Sequence, residues 1–448
     1  MEQQSKPLSI LLYSFTLISL IFIIAINITY SPYDKITSYI IGDTESLKIG
    51  ILSDSHINPK NEKDIKTNYS NNLLNSFKTL KENKVNVIIF AGDITENGEK
   101  ESYIQFKKIY NSVYNKKEKE EQPILNIIMG NHEYYSFPYI PSLLQKRFTH
   151  YLSEKPFSHK IINGYHFINW SSMDGTRVTC NINLKWVKNQ IEIALKDDSS
   201  KPIFITTHLS PKGTIYGSDK YGNVIIYEVL KSYPNVINIS GHSHYSIIDE
   251  RSIWQGDFTA ISTQSISYIK FEEGKLNGNE INNLNHLFSN YMGYVVNVNS
   301  TLVNFKRICL EKNLFYGENW FVEIPIKKEN FKYKVYDRIL SSIAPVFNDD
   351  SFVFVYKENV NDDFYYIKFN QAYHKNCVNS YRIVLRKGKR KKYEFVYFSD
   401  FFLMPSDRKS EISFKLPKIK KGIYNIQIFA KESFGKESFP LNYVIEFK

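Results

Sequence analysis

Cysteine is nearly absent from this chain: only Cys180, Cys309 and Cys377 occur among its 448 residues. No two of them have the short spacing that a disulfide framework or a cysteine-based zinc site requires. The sequence therefore indicates neither kind of site, and soft thiolate ligands are missing from any metal site it forms. The low cysteine count does not fix the cellular compartment.

Positive charge is in excess, and much of the excess lies in the last quarter of the chain. The formal net charge is +11, and residues 341–448 contain 19 Lys and Arg against 12 Asp and Glu. Residues 386–392 and 415–421 are the densest clusters. Neither an RNA-binding signature nor zinc-finger spacing accompanies them. Solvated hairpin tips are the simpler interpretation, and contact of this basic domain with an anionic surface is the alternative.

An apolar run at the N-terminus is long enough to span a bilayer as a helix. Leu8–Ile28 contains no charged residue and follows Lys6, and no small-residue cleavage site comes after it. Residues 1–30 are therefore predicted to be a signal anchor or transmembrane segment. The preceding lysine favours a single-pass protein of the cell membrane with the rest of the chain outside. The alternative is a cleaved signal peptide and a secreted protein.

Beyond this run, the pattern predicts two domains. Residues 44–325 alternate apolar β-type runs with amphipathic helical segments, which is typical of an α/β domain. Residues 340–448 contain short strands separated by turns, with seven strands predicted between Phe352 and Phe447. Seven strands in about a hundred residues predict an all-β sandwich.

Short polar motifs follow five of the apolar runs in the α/β domain. They are Asp54-Ser55-His56, Gly92-Asp93, Gly130-Asn131-His132-Glu133, Thr207-His208 and Gly241-His242-Ser243-His244. Side chains at the carboxyl ends of strands converge on one rim of an α/β sheet, where ligands bind. Imidazole and carboxylate groups suit Mn, Fe and Zn. The motifs therefore predict a site for two divalent metal ions, in which the Asp93 carboxylate is the natural bridge.

In this order the five motifs resemble the calcineurin-like metallophosphoesterase superfamily, whose pattern reads D-x-H, G-D, G-N-H-[D/E], H and G-H-x-H. The resemblance implies a two-sheet sandwich flanked by helices in residues 44–325, and a hydrolase that acts on ester bonds. In the C-terminal domain, Tyr424–Ser438 resembles immunoglobulin and fibronectin-type modules. That second resemblance implies a spacer, an attachment module or a lid.

The family resemblance also implies a role for each residue of the site. One metal ion would be held by Asp54, His56, Asp93 and His244. The second ion would be held by Asp93, Asn131, His208 and His242. His132 would contact the phosphate and protonate the leaving group, and Glu133 would orient His132.

The implied chemistry is attack on phosphorus by a hydroxide that bridges two metal ions, with Mn or Fe expected and Zn as the alternative. The segment Gly92–Gly98 resembles the branch that includes phosphodiesterases, so the expected substrate is a phosphodiester of unknown identity. One rival is a phosphomonoesterase that acts on a protein or a small molecule. The other is a non-catalytic surface adhesion protein with a structural metal site. His132 argues against adhesion, because a structural site needs no extra proton donor.

Overall fold

The structure is a computed structural model, and it describes residues 30–42, 46–60, 68–114, 122–175, 181–272, 290–359 and 364–448. The apolar run Leu8–Ile28 lies outside the described residues, so the signal anchor expected there stays a prediction. Among the described residues, no helix has the length and apolar character needed to cross a membrane.

Two mixed sheets form the α/β domain. Its strands are β1 (Thr37–Tyr39), β2 (Leu47–Leu52), β3 (Val87–Phe90), β4 (Ile124–Ile127), β5 (Phe157–Ile162), β6 (Tyr165–Trp170), β7 (Ile203–Thr207), β8 (Val236–Ser240), β9 (Ile253–Gln255), β10 (Thr259–Ser262), β11 (Met292–Val298), β12 (Leu302–Cys309) and β13 (Leu314–Glu323). The seven-stranded sheet has the order β1-β5-β6-β7-β8-β10-β9, and the six-stranded sheet has the order β13-β12-β11-β2-β3-β4. Each sheet contains adjacent parallel strands: β2, β3 and β4 in the six-stranded sheet, and β6, β7 and β8 in the seven-stranded sheet. Their carboxyl ends therefore point the same way within each sheet.

Helices connect and cover these strands. They are α1 (Tyr69–Glu82), α2 (Lys100–Val113), α3 (Pro141–Leu152), α4 (Asn181–Asp197), α5 (Ser218–Tyr221), α6 (Val224–Leu230) and α7 (Val335–Ser341), with 3-10 turns at His132–Tyr134, Glu250–Ser252, Lys328–Asn330 and Pro405–Asp407. The local sequence explains where two of these helices begin. The Asn68 side chain accepts a hydrogen bond from the Asn71 backbone N–H at the start of α1, and Pro141 occupies the first turn of α3.

The main core lies between the two sheets. Ile49 and Ile89 of the six-stranded sheet belong to the same buried apolar cluster as Phe204 and Ile239 of the seven-stranded sheet. A second cluster packs α1, α2 and α3 on the outer face of one sheet, and a third packs α4 and α6 on the other. Both faces of each sheet are covered, which explains why apolar residues predominate on both faces of the parallel strands. The α/β class with mixed sheets is confirmed.

The C-terminal region contains two antiparallel sheets. Its strands are β14 (Val353–Tyr356), β15 (Tyr366–Asn370), β16 (Val378–Lys387), β17 (Arg390–Phe398), β18 (Glu411–Lys415), β19 (Gly422–Glu432) and β20 (Leu441–Phe447). The sheet orders are β14-β15-β18 and β17-β16-β19-β20. Each of the seven strands predicted from the sequence overlaps one of these. The basic cluster at residues 386–392 includes the exposed β16–β17 turn.

The C-terminal region packs against the α/β domain. The Asn379 side-chain amide donates a hydrogen bond of 2.9 Å to the buried carboxylate of Asp249. The ring of Phe271 lies 4.6 Å from that of Phe398 and 5.0 Å from that of Phe402. Because Phe271 belongs to the segment that follows the last motif, the C-terminal region approaches the neighbourhood of the predicted site.

Candidate metal centre

The five motifs meet where strands of both sheets end. Asp54–His56 follows β2, Asp93 follows β3, and Asn131–His132 follows β4. From the other sheet, His208 follows β7 directly and His242–His244 follows β8. The structure therefore brings all seven predicted metal ligands to one place.

The first cluster comprises Asp54, His56, Asp93 and His244, whose ligand atoms lie within 4.8 Å of one another. Nε2 of His244 lies 3.1 Å from Oδ1 of Asp54 and 3.2 Å from Nε2 of His56. Nε2 of His56 lies 3.8 Å from Oδ2 of Asp93. Atoms bonded to one metal ion at about 2.0–2.2 Å are separated by similar distances, so this donor set fits a transition-metal ion.

The second cluster comprises Asp93, His208 and His242, joined by the amide oxygen of Asn131. Nε2 of His208 lies 3.1 Å from Oδ2 of Asp93, 3.1 Å from Oδ1 of Asn131 and 3.2 Å from Nδ1 of His242. Oδ2 of Asp93 therefore faces histidines of both clusters. The structure places this carboxylate where a bridge between two ions would lie.

Three of the ligand imidazoles are oriented by acceptors on their outer nitrogen. Because the acceptors are carboxylate or carbonyl oxygens, the outer nitrogen donates and Nε2 faces the cluster. The pairs are His56 Nδ1 with the Glu96 carboxylate at 2.8 Å, His208 Nδ1 with the Ala91 carbonyl at 2.8 Å, and His244 Nδ1 with the Tyr268 carbonyl at 3.0 Å. Once Nε2 has lost its proton, an imidazole held in this orientation is ready to bind a metal ion.

His132 lies beside both clusters. Its Nδ1–H donates a hydrogen bond of 2.6 Å to the Glu96 carbonyl, and its backbone N–H donates to Oδ1 of Asp93. Nε2 lies 3.9 Å from Oδ2 of Asp93, and the ring packs edge-on against His56 at 4.4 Å. With its side chain 20% exposed, His132 is reachable by a molecule bound at the clusters.

Glu133 does not have the role expected from the sequence. Its carboxylate is fully buried, and Oε2 accepts hydrogen bonds from the backbone N–H groups of Asp93 and Gly130. Oε1 accepts from the backbone N–H and the hydroxyl of Thr95. The ring of His132 is instead oriented by the Glu96 carbonyl. Glu133 therefore joins the loops after β3 and β4, and positions Asp93 through its backbone.

Electrostatics keep both site carboxylates ionised. Burial raises the pKa of Asp54, but His244 and His208 together offset this and lower it to about 2. Burial likewise opposes ionisation of Asp93, yet His208 holds its pKa well below the usual value. His208 in turn is disfavoured as a cation by burial, but Asp93 raises its pKa to about 10. A metal ion bound at His208 must therefore displace a proton.

Five of the ligand residues have left-handed backbone conformations. Asp54, His56, Asp93, His242 and His244 have φ between 48° and 70°. This region is sparsely populated by residues other than glycine, and such strain clusters at functional sites. The ligands are therefore presented by tight turns beyond the strand ends and not by the pleated strands themselves.

Glycine is required next to two of these turns. A Cβ atom on Gly130 would overlap Oδ1 of Asp93 and lie 2.6 Å from its backbone nitrogen. A Cβ atom on Gly241 would overlap the Ser53 hydroxyl and lie 2.6 Å from Oδ2 of Asp54. Only glycine permits this approach of the backbone to the carboxylates.

Sequence reasoning missed the residues that orient the ligands. Glu96 serves two histidines, its carboxylate binding His56 and its carbonyl binding His132. The Tyr135 hydroxyl accepts a hydrogen bond of 2.6 Å from the Asn131 amide nitrogen, which leaves the amide oxygen for the cluster. Glu96 lies in the segment Gly92–Gly98, which was already notable in the sequence, so its position could have indicated a role at the site.

Residues 47–246 match the family model described as calcineurin-like phosphoesterase. This part of the chain is therefore a calcineurin-like phosphoesterase domain, a hydrolase domain that acts on ester bonds, as the motifs predicted. The matched stretch contains every residue of the two clusters and His132. Among curated proteins, none matches the chain.

Several solved structures resemble the chain over part of its length. A purple acid phosphatase from yellow lupin seeds (Lupinus luteus) is 10% identical, with a TM-score of 0.45; 63% of this chain aligns with 55% of that one. A predicted phosphoesterase from Streptococcus pneumoniae is 10% identical, with a TM-score of 0.27; 62% of this chain aligns with 98% of that one. Vacuolar protein sorting 29 from Cryptosporidium parvum is 8% identical, with a TM-score of 0.29; 62% of this chain aligns with 97% of that one.

Proposed function

We propose that the protein is a phosphodiesterase that depends on two divalent metal ions, Mn or Fe with Zn as the alternative. The observation that carries this proposal is the pair of clusters joined by the Asp93 carboxylate, with His132 beside them. When bound, the two ions would supply positive charge to the phosphoryl oxygens and lower the pKa of water. The buried, preoriented nitrogen and oxygen donors fit such ions.

His132 is the general acid in this proposal. Because its Nδ1–H is held by the Glu96 carbonyl, the ring nitrogen available to a substrate is Nε2. A proton on Nε2 of the imidazolium would be delivered to the departing alkoxide, which otherwise leaves poorly. The ring packs against His56 and Tyr135, so the leaving group is expected on that side of the site.

The class of ester is tested by comparing two substrates with the same leaving group. Metal-depleted protein is supplemented with Mn, Fe or Zn and assayed on bis(4-nitrophenyl) phosphate and on 4-nitrophenyl phosphate. Faster hydrolysis of the diester, measured as kcat/KM, is expected. Preference for the monoester would establish the phosphomonoesterase instead, and no hydrolysis of either compound would favour the adhesion protein.

Replacement of the acid tests the mechanism. On a diester whose leaving group is an alkoxide, His132→Ala is expected to lower kcat about 10²–10⁴-fold while metal content stays at the wild-type level, because His132 donates a proton and is not a proposed ligand. His150→Ala changes an exposed histidine of α3 outside the site and serves as the matched control. Unchanged hydrolysis in His132→Ala would contradict the assigned role.

We further propose that residues 1–30 anchor the enzyme in the cell membrane with the catalytic domain outside. The uncharged run Leu8–Ile28 behind Lys6 supports this topology. The exposed basic turn between β16 and β17 supports an additional contact with an anionic surface. We expect the protein to remain in the membranes after an alkaline wash. We also expect external protease to digest it in intact cells. Recovery of a shortened protein in the medium would establish secretion.

A further inference from the structure

Residues 265–271, called here the 265–271 segment, run beside the first cluster after β10. The hydroxyls of Ser265 and Ser267 each donate a hydrogen bond of 2.9 Å to the carbonyl oxygen of Asp54. Both serines are therefore tied to the backbone of a proposed metal ligand. The first half of the segment fixes the turn that carries Asp54.

The second half of the segment holds His244 on two sides. The Tyr268 carbonyl accepts a hydrogen bond of 3.0 Å from Nδ1 of His244, and the Lys270 backbone N–H donates one of 3.0 Å to the His244 carbonyl. The ring of Tyr268 also lies 4.4 Å from the His244 imidazole. Because the acceptor on its outer nitrogen orients a histidine ligand, the position of Tyr268 sets the direction of Nε2 of His244.

The 265–271 segment does not contact the two clusters equally. Among the described residues, its hydrogen bonds reach Asp54 and His244, and none reaches a ligand that belongs only to the second cluster. His208 of the second cluster is oriented elsewhere, by the Ala91 carbonyl at 2.8 Å. A displacement of the segment would therefore disturb the first cluster more than the second.

Phe271 ties the end of the segment to the C-terminal region. Its side chain is only 9% exposed, and its ring lies 4.6 Å from Phe398, 5.0 Å from Phe402 and 6.4 Å from Phe401. Phe398 ends β17, and the other two rings lie in the loop that follows. All four rings belong to the main core between the two sheets. Because Phe271 directly follows Lys270, its packing fixes the part of the segment that contacts His244.

We propose that the C-terminal region positions His244 through Phe271, and that this contact strengthens the binding of the metal ion at the first cluster and not at the second. Phe271 acts through the backbone that it anchors, so it is a positioning residue. The inference rests on the proposed pair of metal ions and not on the class of ester that is hydrolysed. It gives the C-terminal region a part in building the metal centre.

Metal titration tests this inference without an activity assay. Chelator-treated protein is dialysed against a series of buffered Mn²⁺ concentrations, and bound Mn is measured by elemental analysis. His242→Ala provides a background that keeps the first cluster, and His244→Ala one that keeps the second. Adding Phe271→Ala to His242→Ala is expected to weaken the remaining ion about tenfold, as for residues that orient metal ligands. Adding it to His244→Ala should change the affinity by less than about threefold, as for independent sites.

Three further variants separate positioning from a general loss of stability. Phe271→Leu keeps a buried apolar side chain and should restore most of the affinity. Phe398→Ala removes the ring on the C-terminal side and should weaken the same ion as Phe271→Ala. Phe447→Ala is the matched control, because it removes a ring that is 1% exposed at the opposite end of the four-stranded sheet from Phe398. It should leave both affinities unchanged. Far-UV circular dichroism checks that each variant is folded before titration.

Contrary outcomes separate this inference from the proposed function. Unchanged binding at the first cluster in Phe271→Ala would overturn the positioning role. Equal weakening at both clusters, or the same loss in Phe447→Ala, would indicate a general loss of stability and overturn it as well. The expected pattern of Mn binding without hydrolysis of any phosphoester would overturn the proposed phosphodiesterase and leave this inference standing. Failure of the wild-type protein to bind two ions would overturn both.

Discussion

Replacing Glu133 by glutamine separates a structural carboxylate from a catalytic one. Each carboxylate oxygen of Glu133 accepts two hydrogen bonds. In Glu133→Gln an amide nitrogen, which cannot accept a hydrogen bond, replaces one of these oxygens. The less damaging orientation turns the amide nitrogen towards Thr95, whose hydroxyl can rotate but whose backbone N–H then loses its acceptor. A buried unpaired donor costs about 1–3 kcal/mol, and the two remaining bonds lose their charge assistance.

One effect opposes this loss. Burial, together with the charge of Asp93, raises the pKa of Glu133 to about 7, so the ionised carboxylate is itself costly in this site. Removing the charge relieves that repulsion. A net decrease of about 2–4 kcal/mol in the free energy of unfolding is expected, a large share of the about 5–15 kcal/mol typical of folded proteins.

Urea unfolding of chelator-treated protein measures the free energy of unfolding without a contribution from metal binding. The four tryptophans all lie in the α/β domain, so their fluorescence follows that domain alone. Glu96→Gln is the matched control, because the Glu96 side chain is 41% exposed and should change stability by less than about 1 kcal/mol. Because Glu96 orients His56, Glu96→Gln should instead lower the metal affinity of the protein about 10–100-fold. Wild-type stability in Glu133→Gln, combined with lost turnover, would refute the structural role.

Three other perturbations probe the site and the fold. His244→Ala and His242→Ala should each lower metal content from two ions per chain to about one, measured by elemental analysis; loss of the same ion in both variants would contradict the two-cluster division. Gly241→Ala should weaken metal binding by displacing Asp54, which its new Cβ would approach at 2.6 Å, so wild-type metal content would contradict this. Burial lowers the pKa of His159 from 6.5 to about 4, so its contribution to stability is complete above pH 6.5 and is lost as the pH falls towards 4. Urea unfolding should show a decrease of up to about 3 kcal/mol over that range, and a smaller one in His159→Gln.

The fold class and the residues of the two clusters were accessible from the sequence because each depends on local patterns. Apolar runs of four to seven residues mark the strands, and the motif that follows each run lies at a strand end by necessity. The seven C-terminal strands were likewise predicted from short runs between turn residues. What the motifs could not reveal is the left-handed backbone at the ligands, since Asp54 and His56 also suit one face of a regular strand.

The role of Glu133 was wrong for a physical reason. Adjacency in the sequence suggested that it touches His132, but the two residues begin a 3-10 turn. Successive side chains in such a turn diverge by about 120°, because three residues complete a turn. Glu133 therefore projects towards the loop after β3. The group that does bind the His132 ring, the Glu96 carbonyl, is a backbone atom brought close by the fold, which residue identity alone does not reveal.

Asp93 links the two clusters to His132, the proposed proton donor, through its separate atoms. Oδ2 faces His208 and His56, and hence both clusters, while Oδ1 accepts from the backbone N–H of His132. The backbone N–H of Asp93 is fixed by Glu133. Any shift of this one carboxylate would therefore disturb both clusters and the His132 imidazole together. This explains why the surrounding loops are tied by a buried charge at Glu133 and by a glycine at position 130, where a larger residue would collide with Asp93.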